Sequence, residues 1–131
     1  FLGWAFKKDT NDTRESAAIY VADELLNEQA EIMVFDPKVK STQIYNDINY
    51  LETRSGEMNH ANLSVFENAY DACAEAHAIA ILTEWDEFKL LDWQKIYNNM
   101  LKPALIFDGR NILNAEEMKS IGFVVHGIGV K

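Results

Sequence analysis

The chain has 131 residues, about one domain's worth, and 48% of them are hydrophobic, so it can bury a core. Its formal net charge of -9 excludes a general nucleic-acid-binding or anionic-membrane-binding surface, because both need excess positive charge. No apolar run reaches the roughly 18 residues of a membrane span, and the single cysteine, Cys73, rules out an internal disulfide and predicts a reducing, cytoplasmic environment.

The first half of the chain alternates apolar runs with helical patterns. Residues 1–5 predict a strand, and because the chain begins inside this run we expect it to be a fragment of a longer protein. The stretch Asp12-Thr-Arg-Glu15 predicts a helix start, since an acidic cap is followed three residues later by glutamate. The apolar face of that helix comprises Ala18, Ile19, Ala22, Leu25 and Leu26.

A second strand is predicted over 31–35. Residues 38–62 are interpreted as mostly loop, with a short helix near 41–47 and the most mobile stretch at 54–59. Strands follow at 63–65, 78–82, 104–107 and 123–126, separated by helices at 67–75, 92–100 and 115–121. Such apolar strands, alternating with helices, predict an α/β fold. We expect one domain over 1–131: a doubly wound, Rossmann-like, mostly parallel sheet of about six strands with helices on both faces.

The residues that follow the strands are the first candidates for function, because ligands bind beyond the carboxyl ends of parallel strands. Lys7 and Lys8 follow the first strand, Arg110 follows the strand at 104–107, and Arg14 starts the first helix beside the same edge. Four cations there suit a diphosphate or a carboxylate, although strand-end cations are more often merely solvated. No Gly-x-Gly-x-x-Gly fingerprint follows the first strand, so a dinucleotide is not expected in the usual place.

Other reactive side chains give weaker signals, and no catalytic residue is predicted within the chain. Cys73 lies in a helical run with alanines and is interpreted as a packed thiol. His60, expected on the surface, and His77 and His126, expected to be structural, lack metal-ligand spacing, so no metal site is predicted. Glu84 is interpreted as a surface acid.

Several long motifs carry a family resemblance. Residues 1–16, FLGWAFKKDTNDTRES, resemble the segment that opens the C-terminal, UDP-sugar-binding domain of UDP-glucose 6-dehydrogenases. Trp4 and Asn11 replace the family's Phe and Gly, and Asn11 tolerates positive φ. Further matches follow in the expected order: Phe35-Asp-Pro-Lys38, Thr83-Glu-Trp-Asp-Glu-Phe88, Lys102-Pro-Ala-Leu-Ile-Phe-Asp-Gly-Arg110 and the closing Ile128-Gly129.

The resemblance implies a parent enzyme that oxidises UDP-glucose to UDP-glucuronate with two NAD+. It implies an N-terminal NAD domain, a central dimerisation region and a homo-oligomer, with the nucleophilic cysteine in segments before Phe1 and not aligned with Cys73. Residue by residue, it implies that Phe6, Lys7 and Arg110 bind the substrate and that Arg14 contacts NAD. Lys8 receives no role, and the chain alone is expected to bind UDP-glucose weakly and to catalyse nothing.

Two alternatives stay open at the sequence level. The chain could be a stand-alone nucleotide-binding or interaction module, or it could come from a sister dehydrogenase that acts on UDP-N-acetylmannosamine or GDP-mannose. A parent reading frame with a Gly-rich fingerprint and a Gly-x-Cys segment upstream of Phe1 would favour a dehydrogenase over a free-standing module.

Overall fold

A computed structural model describes residues 1–127, so the resemblance at Ile128-Gly129 lies outside the described residues. Within this range the helices are α1 (Ala17–Asn27), α2 (Ser41–Tyr50), α3 (Gly56–Asn62), α4 (Ala69–Cys73), α5 (Trp93–Asn98) and α6 (Ala115–Ile121). The strands are β1 (Ile32–Val34), β2 (Leu63–Val65), β3 (Ala78–Ile81), β4 (Leu105–Asp108) and β5 (Val124–Gly127), and a 3₁₀ helix spans Asp86–Leu90. None of these helices is long and apolar enough to cross a membrane.

The described strands form two small parallel sheets, β1–β2 and β3–β4–β5, so the prediction of one sheet of about six strands is wrong. The predicted strand over 1–5 shrinks to Leu2, which makes parallel bridges to Phe35 and to Ile81. Its amide donates to the carbonyl of Ala80 at 2.9 Å. Gly3 follows at φ 103, which ends the extended conformation. Segment 1–5 therefore lies between the two sheets and joins them without forming a strand.

Residues 38–62 are largely helical, which corrects the prediction of a loop. Helix α2 buries only Ile44 and Ile48, and so narrow an apolar stripe gives a weak sequence signal. Helix α3 begins after Ser55, whose side chain accepts a hydrogen bond from the amide of Met58. Asn59, in the stretch predicted to be the most mobile, is buried.

Helix α1 also begins later than the sequence suggested. Ser16 is its N-cap, because the Ser16 hydroxyl accepts from the amide of Ala18 at 3.3 Å and donates to the carbonyl of Trp4 at 2.7 Å. The hydroxyl thereby fixes the helix start against segment 1–5. Leu25 does not join the buried face of α1 and is 38% exposed.

The register of the β3–β4–β5 sheet separates a buried face from an open one. Ile79, Ile106 and Val125 are aligned on the more buried face, and helix α6 packs against β5 and α5. Their neighbours Ala80, Phe107 and His126 are aligned on the opposite face, where Phe107 is 46% exposed. Within residues 1–127 this second face therefore stays partly exposed, where the sequence predicted a covering helix.

Candidate functional site at the carboxyl edge

The buried carboxylate of Asp36 organises the edge where the strands end. Its two oxygens accept five hydrogen bonds from the described residues, and every donor is an N–H group. The donors are the amides of Trp4 (2.7 Å), Ala5 (2.9 Å), Lys38 (2.8 Å) and Val39 (3.0 Å) and the indole of Trp85 (3.2 Å). Asp36 therefore joins the ends of segment 1–5, of β1 and of the loop after β3.

This use of Asp36 bears on cofactor binding. In dinucleotide-binding sheets an acidic residue at the end of the second strand binds the adenosine ribose. Asp36 occupies the corresponding place after β1, but its oxygens already accept bonds from the chain itself. Since the Gly-rich fingerprint is also missing, this sheet does not fit the adenosine half of NAD at the usual position.

The turn after segment 1–5 presents Phe6 and Lys7 at this edge. The hydroxyl of Thr83 donates to the carbonyl of Ala5 at 2.7 Å, and the amide of Phe6 donates to the carbonyl of Asp12 at 2.8 Å. These bonds fix both ends of the turn, while the side chains of Phe6 and Lys7 stay exposed. In this turn Asp9 has a positive φ of 63. Asn11, where the family pattern has a glycine, does not.

Arg110 reaches the same turn from β4. Buried Asp108 ends that strand and accepts from the amides of Arg110 (3.2 Å) and Leu113 (2.8 Å), which shapes the loop. The Arg110 guanidinium then donates to the carbonyls of Leu82 and Phe6, each at 3.1 Å. Two of the predicted substrate-binding residues, Phe6 and Arg110, are thus in direct contact although they lie 104 positions apart.

The other two predicted cations are held by carboxylates. The Nζ atom of Lys8 lies 3.3 Å from Asp86, and Arg14 contacts both oxygens of Asp12, at 2.8 Å through Nη2. Hydrogen bonds from Arg14 hold the pKa of Asp12 at about 2, and those from Lys8 lower the pKa of Asp86. Within the described residues, neither Lys7 nor Arg110 forms an ion pair, so these two cations are the ones left to meet an anionic ligand.

The sequence did not reveal that two acidic residues of this edge are buried, and it predicted the wrong environment for a third. Asp36 and Asp108 are buried, and the only sequence signal was an acid directly after an apolar run. The interpretation of Glu84 as a surface acid is wrong, because its Oε1 atom is buried and accepts no hydrogen bond from the part of the chain that the structure describes.

The remaining candidates lie away from this edge. Cys73 is buried as predicted, and burial raises the pKa of its thiol to about 11. His60 is exposed as expected, and His77 and His126 are exposed too, although the His126 ring stacks on Phe107.

Neither of two concave regions within residues 1–127 coincides with the predicted site. One, of about 250 Å³, is lined by Asn11 and by Lys38, Val39, Lys40, Thr42 and Gln43. The other, of about 230 Å³, is lined by residues of β4, β5, α6 and the loop after β4. Phe6, Lys7, Arg14 and Arg110 line neither of these two regions, and all four residues are exposed.

Comparisons with known proteins agree on one family. Residues 1–115 match the sequence model described as "UDP-glucose/GDP-mannose dehydrogenase family, UDP binding domain". UDP-glucose 6-dehydrogenase 4 of Arabidopsis thaliana is 48% identical over 137 aligned positions. UDP-glucose 6-dehydrogenase 4 of Oryza sativa subsp. japonica is 47% identical. Each match covers 98% of this chain but only 28% of the relative's length.

Solved structures show the same relationship at lower identity. A UDP-D-ManNAc dehydrogenase from Pyrococcus horikoshii superposes with a TM-score of 0.71 at 30% identity, covering 98% of this chain and 24% of that one. An NDP-N-acetyl-D-galactosaminuronic acid dehydrogenase from Methanosarcina mazei Go1 superposes with a TM-score of 0.77 at 28% identity, covering 99% and 24%. The α/β architecture is therefore shared with dehydrogenases.

Proposed function

The chain belongs to the UDP-glucose/GDP-mannose dehydrogenase family, in the region of its UDP binding domain, and from that premise we propose that it binds the nucleotide-sugar substrate of a UDP-glucose 6-dehydrogenase. The intact protein oxidises the C6 alcohol of UDP-glucose to a carboxylate. This chain supplies one wall of the substrate site, while the nucleophilic cysteine and the main NAD site lie in polypeptide outside residues 1–131. The protein works in the cytoplasm as a homo-oligomer.

The contact between Arg110 and the turn at Phe6 carries this proposal. Bonds to two carbonyls fix the guanidinium at the carboxyl edge but use only part of its donors, since a guanidinium carries five N–H groups. Arg110 therefore offers the remaining donors to a diphosphate or to a sugar oxygen, in a fixed orientation. Lys7 adds a positive charge beside it, and the exposed ring of Phe6 offers an apolar surface.

Arg14 is the residue of this chain that we propose contacts NAD. When bound, NAD supplies the hydride acceptor, and the usual place for its ribose in this sheet is closed by the bonds to Asp36. The Arg14 side chain is 88% exposed, so it stays accessible to a cofactor held mainly by another domain although its guanidinium is paired with Asp12.

The sister dehydrogenases are the alternative that the solved structures favour. Both superposed structures are named for N-acetylated sugars, but their identity to this chain is 30% and 28%, against 48% for the Arabidopsis UDP-glucose enzyme. UDP-glucose is therefore the proposed substrate. Comparing kcat/KM for UDP-glucose, UDP-N-acetylmannosamine and GDP-mannose in the intact protein distinguishes the three substrates.

Alanine substitutions in the intact protein test the site. Lys7→Ala and Arg110→Ala each remove a charged donor to the ligand, so we expect kcat/KM for UDP-glucose to fall by about tenfold to a hundredfold. Lys8→Ala is the matched control, because Lys8 has the same charge on the same turn but is paired with Asp86. It should change kcat/KM by no more than about twofold.

Equal and small effects for all three variants would show that the edge is not the substrate site. If the intact protein binds UDP by calorimetry but never reduces NAD+, the chain belongs to a nucleotide-binding module and the dehydrogenase proposal fails.

A further inference from the structure

Two backbone carbonyls hold the guanidinium of Arg110, and they come from distant parts of the chain. Its Nε atom donates to the carbonyl of Leu82, just after β3, and its Nη2 atom donates to the carbonyl of Phe6, each at 3.1 Å. Nε and Nη2 lie on one side of the planar group, and their N–H bonds form a rigid fork. The separation of the two carbonyls therefore sets the orientation of the guanidinium plane.

The outer end of the same guanidinium is left for a ligand. A guanidinium carries five N–H groups and two of them bind these carbonyls, so three remain, two on Nη1 and one on Nη2. Within residues 1–127 these three make no hydrogen bond and no ion pair. The N–H groups of Nη1 and Nη2 match two oxygens of a phosphate or a carboxylate. The direction in which Arg110 offers them depends on the two carbonyls behind it.

Thr83 connects both carbonyls. The carbonyl of Leu82 belongs to the peptide bond that Thr83 itself completes, so it moves with the Thr83 backbone. The Thr83 hydroxyl donates at 2.7 Å to the carbonyl of Ala5, one peptide unit before the carbonyl of Phe6. One residue thus links the two acceptors of Arg110, through its own peptide bond on one side and through its hydroxyl on the other.

The surroundings of Thr83 separate this link from the general stability of the edge. Thr83 is completely buried, so it has no access to a ligand. Segment 1–5 is held independently by Asp36, which accepts hydrogen bonds from the amides of Trp4 at 2.7 Å and Ala5 at 2.9 Å. Loss of the Thr83 hydroxyl should therefore leave segment 1–5 in place and mainly release the peptide units that follow Ala5.

We propose that Thr83 is a positioning residue for Arg110. It holds the carbonyls of Leu82 and Phe6 at the separation that fits Nε and Nη2, and so it fixes the angle at which Nη1 and Nη2 meet the ligand. The inference rests on the proposed function, because it takes Arg110 as a substrate-binding residue. It adds that a buried residue with no ligand contact sets the strength of that binding, since a shift of about 1 Å in a binding group can cost up to about a hundredfold.

The affinity of the intact protein for UDP-glucose, measured by calorimetry without NAD+, tests this role. Thr83→Val keeps the shape of the side chain but removes the hydroxyl, and we expect it to raise the Kd by about fivefold or more. Thr83→Ser retains the hydroxyl and should bind within about twofold of the parent protein. Thr53→Val is the matched control, because it removes a threonine hydroxyl that donates to Asp23 at 3.1 Å, on the exposed surface. It should leave the Kd unchanged within about twofold.

A double-mutant cycle shows whether Thr83 acts through Arg110. In a protein that already carries Arg110→Ala, Thr83→Val should change the Kd by less than about twofold, because no guanidinium is left to position. A general structural role would instead weaken binding by the same factor in both backgrounds. That result overturns the proposal, and so does a Thr83→Val variant that binds UDP-glucose as tightly as the parent protein.

Arg110→Lys tests the same geometry without changing a buried residue, in case Thr83→Val fails to fold. One ammonium cannot hold two carbonyls and also present a fixed pair of donors, so its Kd should lie within about threefold of that of Arg110→Ala. A lysine variant that binds like the parent protein overturns the proposal. An unchanged Kd for Arg110→Ala contradicts the substrate site itself. Weaker binding by Arg110→Ala together with normal binding by Thr83→Val overturns only the positioning role, so the two proposals fail in different ways.

Discussion

Single residues at the carboxyl edge decide whether the site can form. Gly3 is the sharpest case, because its φ is 103 and a Cβ atom there would lie 2.5 Å from the Cβ and Oγ1 atoms of Thr83. Thr83 holds the end of segment 1–5 through its bond to Ala5, so a clash at Gly3 separates two parts of the same edge. Gly56 differs on both counts, since its φ lies outside the left-handed region and a Cβ atom there would have no neighbour closer than 3.6 Å.

Gly3→Ala should destabilise the chain by more than about 4 kcal/mol, because it combines a disfavoured backbone conformation with a collision against backbone and side chain. Gly56→Ala, in the first turn of α3, should stabilise it by about 0.5 kcal/mol through the lower entropy of the unfolded chain. Urea unfolding followed by tryptophan fluorescence measures both. A Gly3→Ala variant as stable as the parent chain would show that the edge tolerates a different backbone path.

At the scale of elements, one ion pair connects helix α1 to the segment between α2 and α3. Arg54 pairs with Asp23, and its guanidinium also donates to Asn27 at 2.7 Å and to Asn59 at 3.1 Å. The side chains of the pair are only 9% and 17% exposed. Arg54 therefore holds a stretch that the sequence suggested to be mobile.

Arg54→Met keeps the aliphatic stem but removes the charge, and it should lower the free energy of unfolding by about 3 kcal/mol because Asp23 is left poorly hydrated and unpaired. Arg14→Met is the matched control: Arg14 makes a similar pair with Asp12, but its side chain is 88% exposed. That variant should leave the urea midpoint unchanged within error. Equal losses for both variants would mean that burial does not set the strength of these pairs.

At the scale of the whole molecule, we propose that the chain supplies binding groups and that the reactive groups lie elsewhere in the protein. Its only cysteine has a pKa of about 11, so at pH 8 about one thiol in a thousand is ionised. Phe6, Lys7 and Arg110 are all exposed and line neither of the two concave regions.

The isolated 131-residue chain should form no NADH when it is given UDP-glucose and NAD+, as measured by the absorbance of NADH. Calorimetry should show weak binding of UDP-glucose at best, because few contacts offset the cost of ordering the ligand. The intact protein, assayed at the same concentration, is the positive control. NADH formation that depends on UDP-glucose in the isolated chain would contradict the assignment of the reactive groups to other segments.

Helix-period and apolar-run patterns were sufficient to predict α6 and β2 at their observed bounds, as well as the alternation of strands and helices, because these signals depend only on neighbouring residues. Long motifs such as Phe1–Ser16 were sufficient to identify the family. They also named Phe6, Lys7 and Arg110, whose role in binding stays a prediction.

Tertiary structure alone decided the rest. The buried bonds of Asp36, the pairing of Lys8 with Asp86 and the contact of Arg110 with Phe6 join residues that are far apart in the chain, so local patterns could not show them. The open face of β3–β5 was equally invisible, because apolar strands give the same sequence signal whether or not a helix covers them. Local sequence determined the strands and helices after residue 62, and long-range packing decided the course of segment 1–5 and which side chains meet.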